Sequence, residues 1–258
     1  MRILSFESSA VSASVCLTDD EKIIAQSYQN CGLTHSRTLL PMAESLLAGC
    51  DHTLDDVDAF AIAAGPGSFT GLRIGVATVK GLAFSTNKPC IGVSTLEAMA
   101  QTVYGENICC VMDARAGQVY QAFFKREGQT LTRLCEDRAI KLDELAEEIG
   151  ETSQILVGDG ANLCYTKLIP ICPNLCLAPE HLRYPSAYGV AKLALTGLNN
   201  GKGVCANELD AFYLRPPYIA QPKKTKITVL GVFTMSKVHV MNHPLILHKL
   251  SLMRDCQT

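Results

Sequence analysis

Three sets of residues in this 258-residue chain have types and spacings suited to chemistry. The first is the loop Gly65-Pro66-Gly67-Ser68-Phe69-Thr70-Gly71, where a strand-like run turns into a helical one and backbone amides would face an anion. The second is a trio of acids, Glu7, Asp113 and Asp159, each closing an apolar strand-like run. The third is a late histidine pair, His239 and His243, four residues apart as a helical metal site requires.

Each set is weaker than it first looks. A phosphate loop of the Walker type needs Gly-Lys-Ser/Thr at its end, and none follows; Lys80 stands about two and a half turns into the helix. Gly65, Gly67 and Gly71 miss the dinucleotide fingerprint by one residue, and no acid closes the next strand to meet a ribose. Glu7, Gly65, Gly67 and Ser68 therefore form only a possible nucleotide or phosphate site, resting on the helix N-terminus. Glu7 reads as capped or solvated rather than as a magnesium ligand, and turn chemistry explains Asp113 and Asp159. Asn242-His243-Pro244 is a poor helix interior, so the histidine pair reads as part of a terminal packing segment.

A second reading of the loop concerns packing. Gly67, Gly71 and Gly75 recur every fourth residue, which strips one helical stripe of side chains, while Leu72, Val76, Val79 and Ala83 point to the core. Glycine costs a helix about 1 kcal/mol relative to alanine, so the stripe implies close approach of another helix. On this reading a bulky residue at Gly71 or Gly75 blocks the approaching partner and spares the fold.

The elements that must carry these residues follow from periodicity. "RILSFES", "SASVCLT" and "KIIAQSY" predict three antiparallel strands. "HSRTLLPMAESLLAGC" predicts an amphipathic helix with Pro41 inside it, ending near Gly49. "DAFAIAAG" reads as a buried strand, Thr70 to Phe84 as a second helix, "KPCIGVS" as a fifth strand, and "TLEAMAQTVYG" as a helix capped by Ser94 or Thr95. This order has the meander-and-crossover pattern of a ribonuclease-H-like lobe. Beyond Asn107 fewer elements stand out: strands at "NICCVMDA", "QVYQAFFKR" and "SQILVGDG", and helices at "LDELAEEIG" and "PSAYGVAKLALTGLNN". The expected division is 1–106 for the first lobe, 107–225 for a reduced second lobe, and 226–258 for a C-terminal extension.

Composition narrows the function. With 48% hydrophobic and 19% charged residues the chain is an ordinary globular one, and a net charge of −2 is no footprint for autonomous nucleic-acid binding. The twelve cysteines include no CxxC pair, so they read as reduced, structural and cytoplasmic. No secretory apolar segment opens the chain, and no run approaches the roughly 20 residues of a membrane span.

Five stretches, "HSRTLLP", "AIAAGPGSFTGLRIGVATVKGLA", "DARAGQVYQAFF", "VGDGA" and "YLRPPYIA", together resemble the TsaB (YeaZ) family, in order over residues 1 to 224. The resemblance implies an α/β fold of the actin, sugar-kinase and Hsp70 type (ASKHA), with two ribonuclease-H-like lobes and a reduced second one. It implies a noncatalytic, activating subunit in the synthesis of threonylcarbamoyladenosine next to the tRNA anticodon, in the cytoplasm. Its partners would be the catalytic paralogue TsaD and the ATPase TsaE, which carry the metal and ATP, with tRNA met only through the complex. A homodimer through the same helices is also implied. Carried onto this chain, the partner interface is His35, Ser36, Leu39, Leu40, Pro41, Gly67, Phe69, Thr70, Gly71, Arg73 and Ile74, and Gly75 joins it through the glycine stripe. The reading assigns no catalytic residue, no cofactor and no metal: His35 is followed four residues on by Leu39, where a TsaD-type metal pair needs a second histidine. The alternative is a degenerate nucleotide-binding enzyme with weak ATPase activity, or a peptidase-like homologue.

Overall fold

A strand covered on both faces must be apolar at every position, and the runs that meet this test lie at the centre of the fold. The computed structural model describes residues 1–215. β1 (Arg2–Glu7), β2 (Ala13–Asp19) and β3 (Lys22–Gln29) form an antiparallel meander. α1 (His35–Ala48) crosses to β4 (Ala59–Gly65), which lies parallel to β1, and α2 (Phe69–Thr86) crosses to β5 (Cys90–Ser94), parallel to β4. The resulting order is β3-β2-β1-β4-β5. α3 (Thr95–Thr102) follows directly, its N-terminus capped by Ser94, whose hydroxyl accepts the Glu97 amide at 3.2 Å.

β4 is buried at every residue. Leu4, Phe6, Phe60 and Ile62 pack with Leu39 and Leu46 of α1 and Val79 of α2. The alternate residues Ile3, Ala61 and Ala63 meet Ala98 of α3, with Val190 and Ala194 of a later helix. Full burial of Phe6 and Phe60 contributes roughly 1.5–3 kcal/mol each.

The second sheet repeats the first. β6 (Asn107–Asp113), β7 (Gln118–Glu127) and β8 (Thr130–Arg133) form its meander, and β9 (Arg138–Lys141) also pairs with β7. α4 (Leu142–Ile149) leads to β10 (Gln154–Val157), parallel to β6, and α5 (Ala161–Leu168) to β11 (Leu175–Leu177), parallel to β10. The order β11-β10-β6-β7-β8 is the same path as in the first sheet. α4 and α5 have 8 residues each, against 14 and 18 in α1 and α2, so this half is the reduced one.

After α6 (Glu180–Arg183) the chain returns to the first sheet as α7 (Ala187–Asn199). Ser14 Oγ accepts the first amide of α7, from Ala187, at 2.7 Å. Gly189 lets the two helices touch backbone to backbone, because a Cβ there would lie 2.1 Å from Ala98 O of α3. The extension at 226–258 with its histidine pair, and the last ten residues of the 107–225 division, lie outside the described residues.

The buried Arg126 of β7 ties the second sheet to α3, donating to Val103 O at 3.1 Å and Ala100 O at 2.7 Å. Arg126→Met should lower stability by about 2 kcal/mol, because charge-assisted bonds are lost and two carbonyls are orphaned. Urea unfolding reads this as a lower midpoint; an unchanged midpoint would deny the tie any net contribution.

Candidate partner interface

The glycine loop is built against the chain's own backbone. A Cβ on Gly65, whose φ is +134°, would lie 2.2 Å from Phe212 O, and Phe212 N donates to Ala64 O at 2.7 Å. A Cβ on Gly67 would lie 2.6 Å from Ser9 O, which accepts the Ser68 amide at 2.7 Å. Ser68 Oγ accepts from Gly71 N at 3.3 Å and caps α2. The Ser68 amide and the glycines thus serve the β1–β2 turn on one side and the segment around Phe212 on the other. The loop is tight because two of the chain's own segments press into it, which accounts for Gly65 and Gly67 without a nucleotide.

The reading of the glycine stripe is corrected by contacts of the same kind. A Cβ on Gly71 would lie 2.0 Å from Ser8 O, and one on Gly75 would lie 2.3 Å from Ser8 Oγ and 2.7 Å from Ile62 Cδ1. Ser8 Oγ donates to Gly71 O at 3.0 Å, joining the turn to the helix. Gly71 and Gly75 are therefore sunk within their own subunit and offer no bare backbone to a partner. Leu39, 1% exposed, belongs to the core. His35 is half-buried, with Nε2 donating to Ala10 O at 2.8 Å, which positions the start of α1.

The rest of the sequence-derived set does reach the surface. Ser36, Leu40 and Pro41 are exposed on α1, as are Thr70 and Arg73 on α2, while Phe69 and Ile74 are half-buried. Beyond them the outward arc of α2 continues through Ala77, Gly81 and Phe84, which the sequence reading passed over. Their signal was present: 70, 73 and 74, 77, 81 and 84 keep helical spacing. Phe84 is 75% exposed, and Gly81 has open space around its Cα. At the N-terminal end of the arc, Phe69 packs on Tyr213 with ring centroids 5.0 Å apart. The Arg73 guanidinium lies 3.9 Å over the Phe69 ring and donates through Nε to Tyr213 Oη at 3.3 Å.

The acids are buried or tied into turns. Glu7 has no exposure; its Oε1 accepts from Ser9 N and Ser9 Oγ, both at 2.5 Å, while Oε2 has no partner among the described residues. Burial pushes the carboxyl up to about 7, against the pull of the Ser9 bonds, and the charge of Asp159 adds a smaller push. Glu7 is thus capped but not solvated. Asp113 closes β6, the position in the second sheet that Glu7 holds in the first, and its amide donates to Asp159 Oδ1 at 3.1 Å. Burial raises Asp159 to about 6. Among the described residues no group of three or more histidine, cysteine or acidic side chains could hold a metal. The eleven described cysteines are free, and burial pushes the Cys16 and Cys164 thiols up to about 12.

Two sheets with one strand path, each crossed by helices between its parallel strands, define the actin, sugar-kinase and Hsp70-like class, here with a curtailed second half. Residues 29–169 match the family model described as TsaD, tRNA N6-adenosine threonylcarbamoyltransferase. The tRNA threonylcarbamoyladenosine biosynthesis protein TsaB of Escherichia coli is 31% identical over 220 residues, spanning 83% of this chain and 95% of that protein. The solved structure of YeaZ from Pseudomonas aeruginosa superposes with a TM-score of 0.72 at 28% identity, over 83% of this chain and 99% of that one. A shorter stretch of 64 residues is 47% identical to the tRNA N6-adenosine threonylcarbamoyltransferase of Solidesulfovibrio magneticus, covering 25% of this chain and 17% of that enzyme. The chain belongs to the TsaB family of tRNA threonylcarbamoyladenosine biosynthesis proteins.

Proposed function

We propose that this protein is a noncatalytic, activating scaffold for tRNA threonylcarbamoyladenosine synthesis, and that it pairs with a TsaD-type transferase through the outward arc of α1 and α2. The observation that carries this reading is the arc itself. Leu40, Pro41, Ile74, Ala77, Gly81 and Phe84 present apolar or small surface on two helices held firmly from beneath. Exposed apolar surface of this kind marks an interaction site. The match of residues 29–169, which take in α1 and α2, to the transferase family model supports a pairing of like with like, the two helices of one lobe meeting their counterparts in the other. A second copy of this chain would use the same face, giving a homodimer when the transferase is absent. TsaE joins the assembly, ATP and metal belong to the partners, and tRNA is engaged through the cytoplasmic complex. No described helix is long and apolar enough to cross a membrane.

The weak-ATPase alternative leans on Glu7 and the loop, yet the Ser68 amide already serves Ser9 O and the Gly71 amide serves the Ser68 hydroxyl. For the peptidase-like alternative, no group of three or more histidine, cysteine or acidic side chains among the described residues could hold a metal.

The test is copurification and calorimetry with TsaD. Ala77→Arg places a charge in the middle of a contact of about 800 Å² per partner and should weaken binding at least tenfold, about 1.4 kcal/mol. Ile171→Asp, at an exposed site beyond α5, should bind normally. Normal affinity for Ala77→Arg, with the fold intact, overturns the assignment.

A further inference from the structure

On another part of the molecule, β3, the end of α3, α6 and α7 enclose a cavity of about 850 Å³. That is within the usual range for small-molecule sites, and it is no part of the α1 and α2 arc. Four tyrosines line it: Tyr28, Tyr104, Tyr184 and Tyr188. Two of them stay open to solvent, Tyr28 at 45% and Tyr104 at 71%. Burial raises the Tyr28 hydroxyl above its ordinary range, with Tyr184 and Glu180 close enough to add to the effect; Tyr188 is raised likewise, with Tyr104 its next contributor.

Three of the polar groups in the lining are side-chain amides. Gln26 and Tyr28 alternate along β3, so both project from the same face of the edge strand; Asn30 follows just beyond the strand's end, and Gln101 of α3 adds a third side-chain amide. An amide offers a donor and an acceptor side by side, the pattern that pairs with a base edge. Charge is nearly balanced: Glu180 is paired with Arg183 at 2.7 Å, and Lys192 lies 6.0 Å over the Tyr188 ring. Such a lining suits a flat, uncharged ring and lacks the cationic cluster that a polyphosphate requires.

We propose that this cavity binds a nucleobase, stacked on the tyrosines and read by the amides of Gln26, Asn30 and Gln101. Stacking on aromatic side chains with hydrogen bonds to the base edges is how unpaired bases are recognised in general. The base arrives either on a free nucleoside or on an unpaired segment of RNA, and the chemistry of the cavity is the same for both.

The experiment titrates the full chain with adenosine, with a short single-stranded oligoadenylate and with inorganic phosphate, by calorimetry. Saturable binding of adenosine or the oligonucleotide is expected, with none of phosphate alone. Tyr28→Ala should weaken it roughly tenfold, and Tyr28→Phe, which keeps the ring, should retain it. Tyr104→Ala, at the more exposed position, gives the same readout if Tyr28→Ala fails to fold. Tighter binding of the oligonucleotide identifies RNA as the source, and equal or tighter binding of adenosine identifies a free nucleoside. Absence of saturable binding by either, or binding that folded tyrosine-to-alanine variants leave unchanged, overturns the proposal. Ala77→Arg should leave adenosine binding intact, so failure here and failure of the partner interface are read separately.

Discussion

Gly71→Ala should destabilise the protein by about 3 kcal/mol, while Gly81→Ala, ten residues along the same helix, should stabilise it by up to about 1 kcal/mol. Elsewhere in a helix the two substitutions would be equivalent, since alanine loses less backbone freedom than glycine. At Gly71 the new methyl meets Ser8 O at 2.0 Å, and a backbone carbonyl cannot swing aside. The turn that carries it is held by the Ser9 bonds to Glu7, by Ser68 N on Ser9 O, and by Ser8 Oγ on Gly71 O. At Gly81 nothing lies within reach of the methyl, so only the gain in helix propensity remains. Urea midpoints of the two variants measure the difference. Equal stabilisation of both would mean that the glycine stripe faces outward after all, with the partner rather than Ser8 against it.

Stability should fall as pH rises from about 4.5 to about 7, and Glu7 should account for much of the slope. Its carboxyl is raised from 4.5 to about 7, chiefly by burial, so between those values the folded protein holds a proton that the unfolded chain has released. The stabilising contribution is complete below 4.5 and lost above 7, and at 1.36 kcal/mol per pH unit it amounts to about 3 kcal/mol. Asp159, raised from 3.8 to about 6 by burial, acts in the same direction over a lower window. Glu7→Gln keeps an acceptor for the two Ser9 donors and removes the charge, though the new amide nitrogen gains no acceptor in place of Oε2. This variant should lose the descending limb between pH 6 and 7 and exceed the parent at pH 8 by about 1 to 2 kcal/mol. Chemical denaturation across that range checks it, and an unaltered slope would show that Glu7 is ionised without penalty.

The first half of the fold was legible because its elements are long and regularly patterned. "AFAIAAG" has no polar residue to place on a wet face, and Ser68 and Ser94 announce the helices that they cap. In the second half β8, β9, β11 and α6 have three or four residues each with mixed exposure, too few for a period to emerge. α7 looked like a continuation of its neighbours in sequence, yet its buried face of Val190 and Ala194 is satisfied on the first sheet.

The candidate interface was half legible, and the error has a geometric cause. Residues one apart on a helix differ by about 100°, so Gly71 and Leu72, or Gly75 and Val76, can both lie within one broad buried arc. The absence of side chains was read as an invitation to another protein, when it accommodates Ser8 and Ile62 of the same chain. Glycine spacing reports that something comes close without saying which molecule supplies it. The exposed arc from Thr70 to Phe84 keeps a helical period in the sequence, but that it faces outward is fixed only once the buried arc has been placed.

A photo-crosslinking residue at Ala77 tests the central claim most directly, because it sits at the middle of the outward arc and carries no buried contact to lose. Irradiated in the presence of TsaD and TsaE, the full chain should form a covalent adduct with TsaD from position 77 and none from position 171. An adduct from 171 with none from 77 would place the partner on another face and contradict the account.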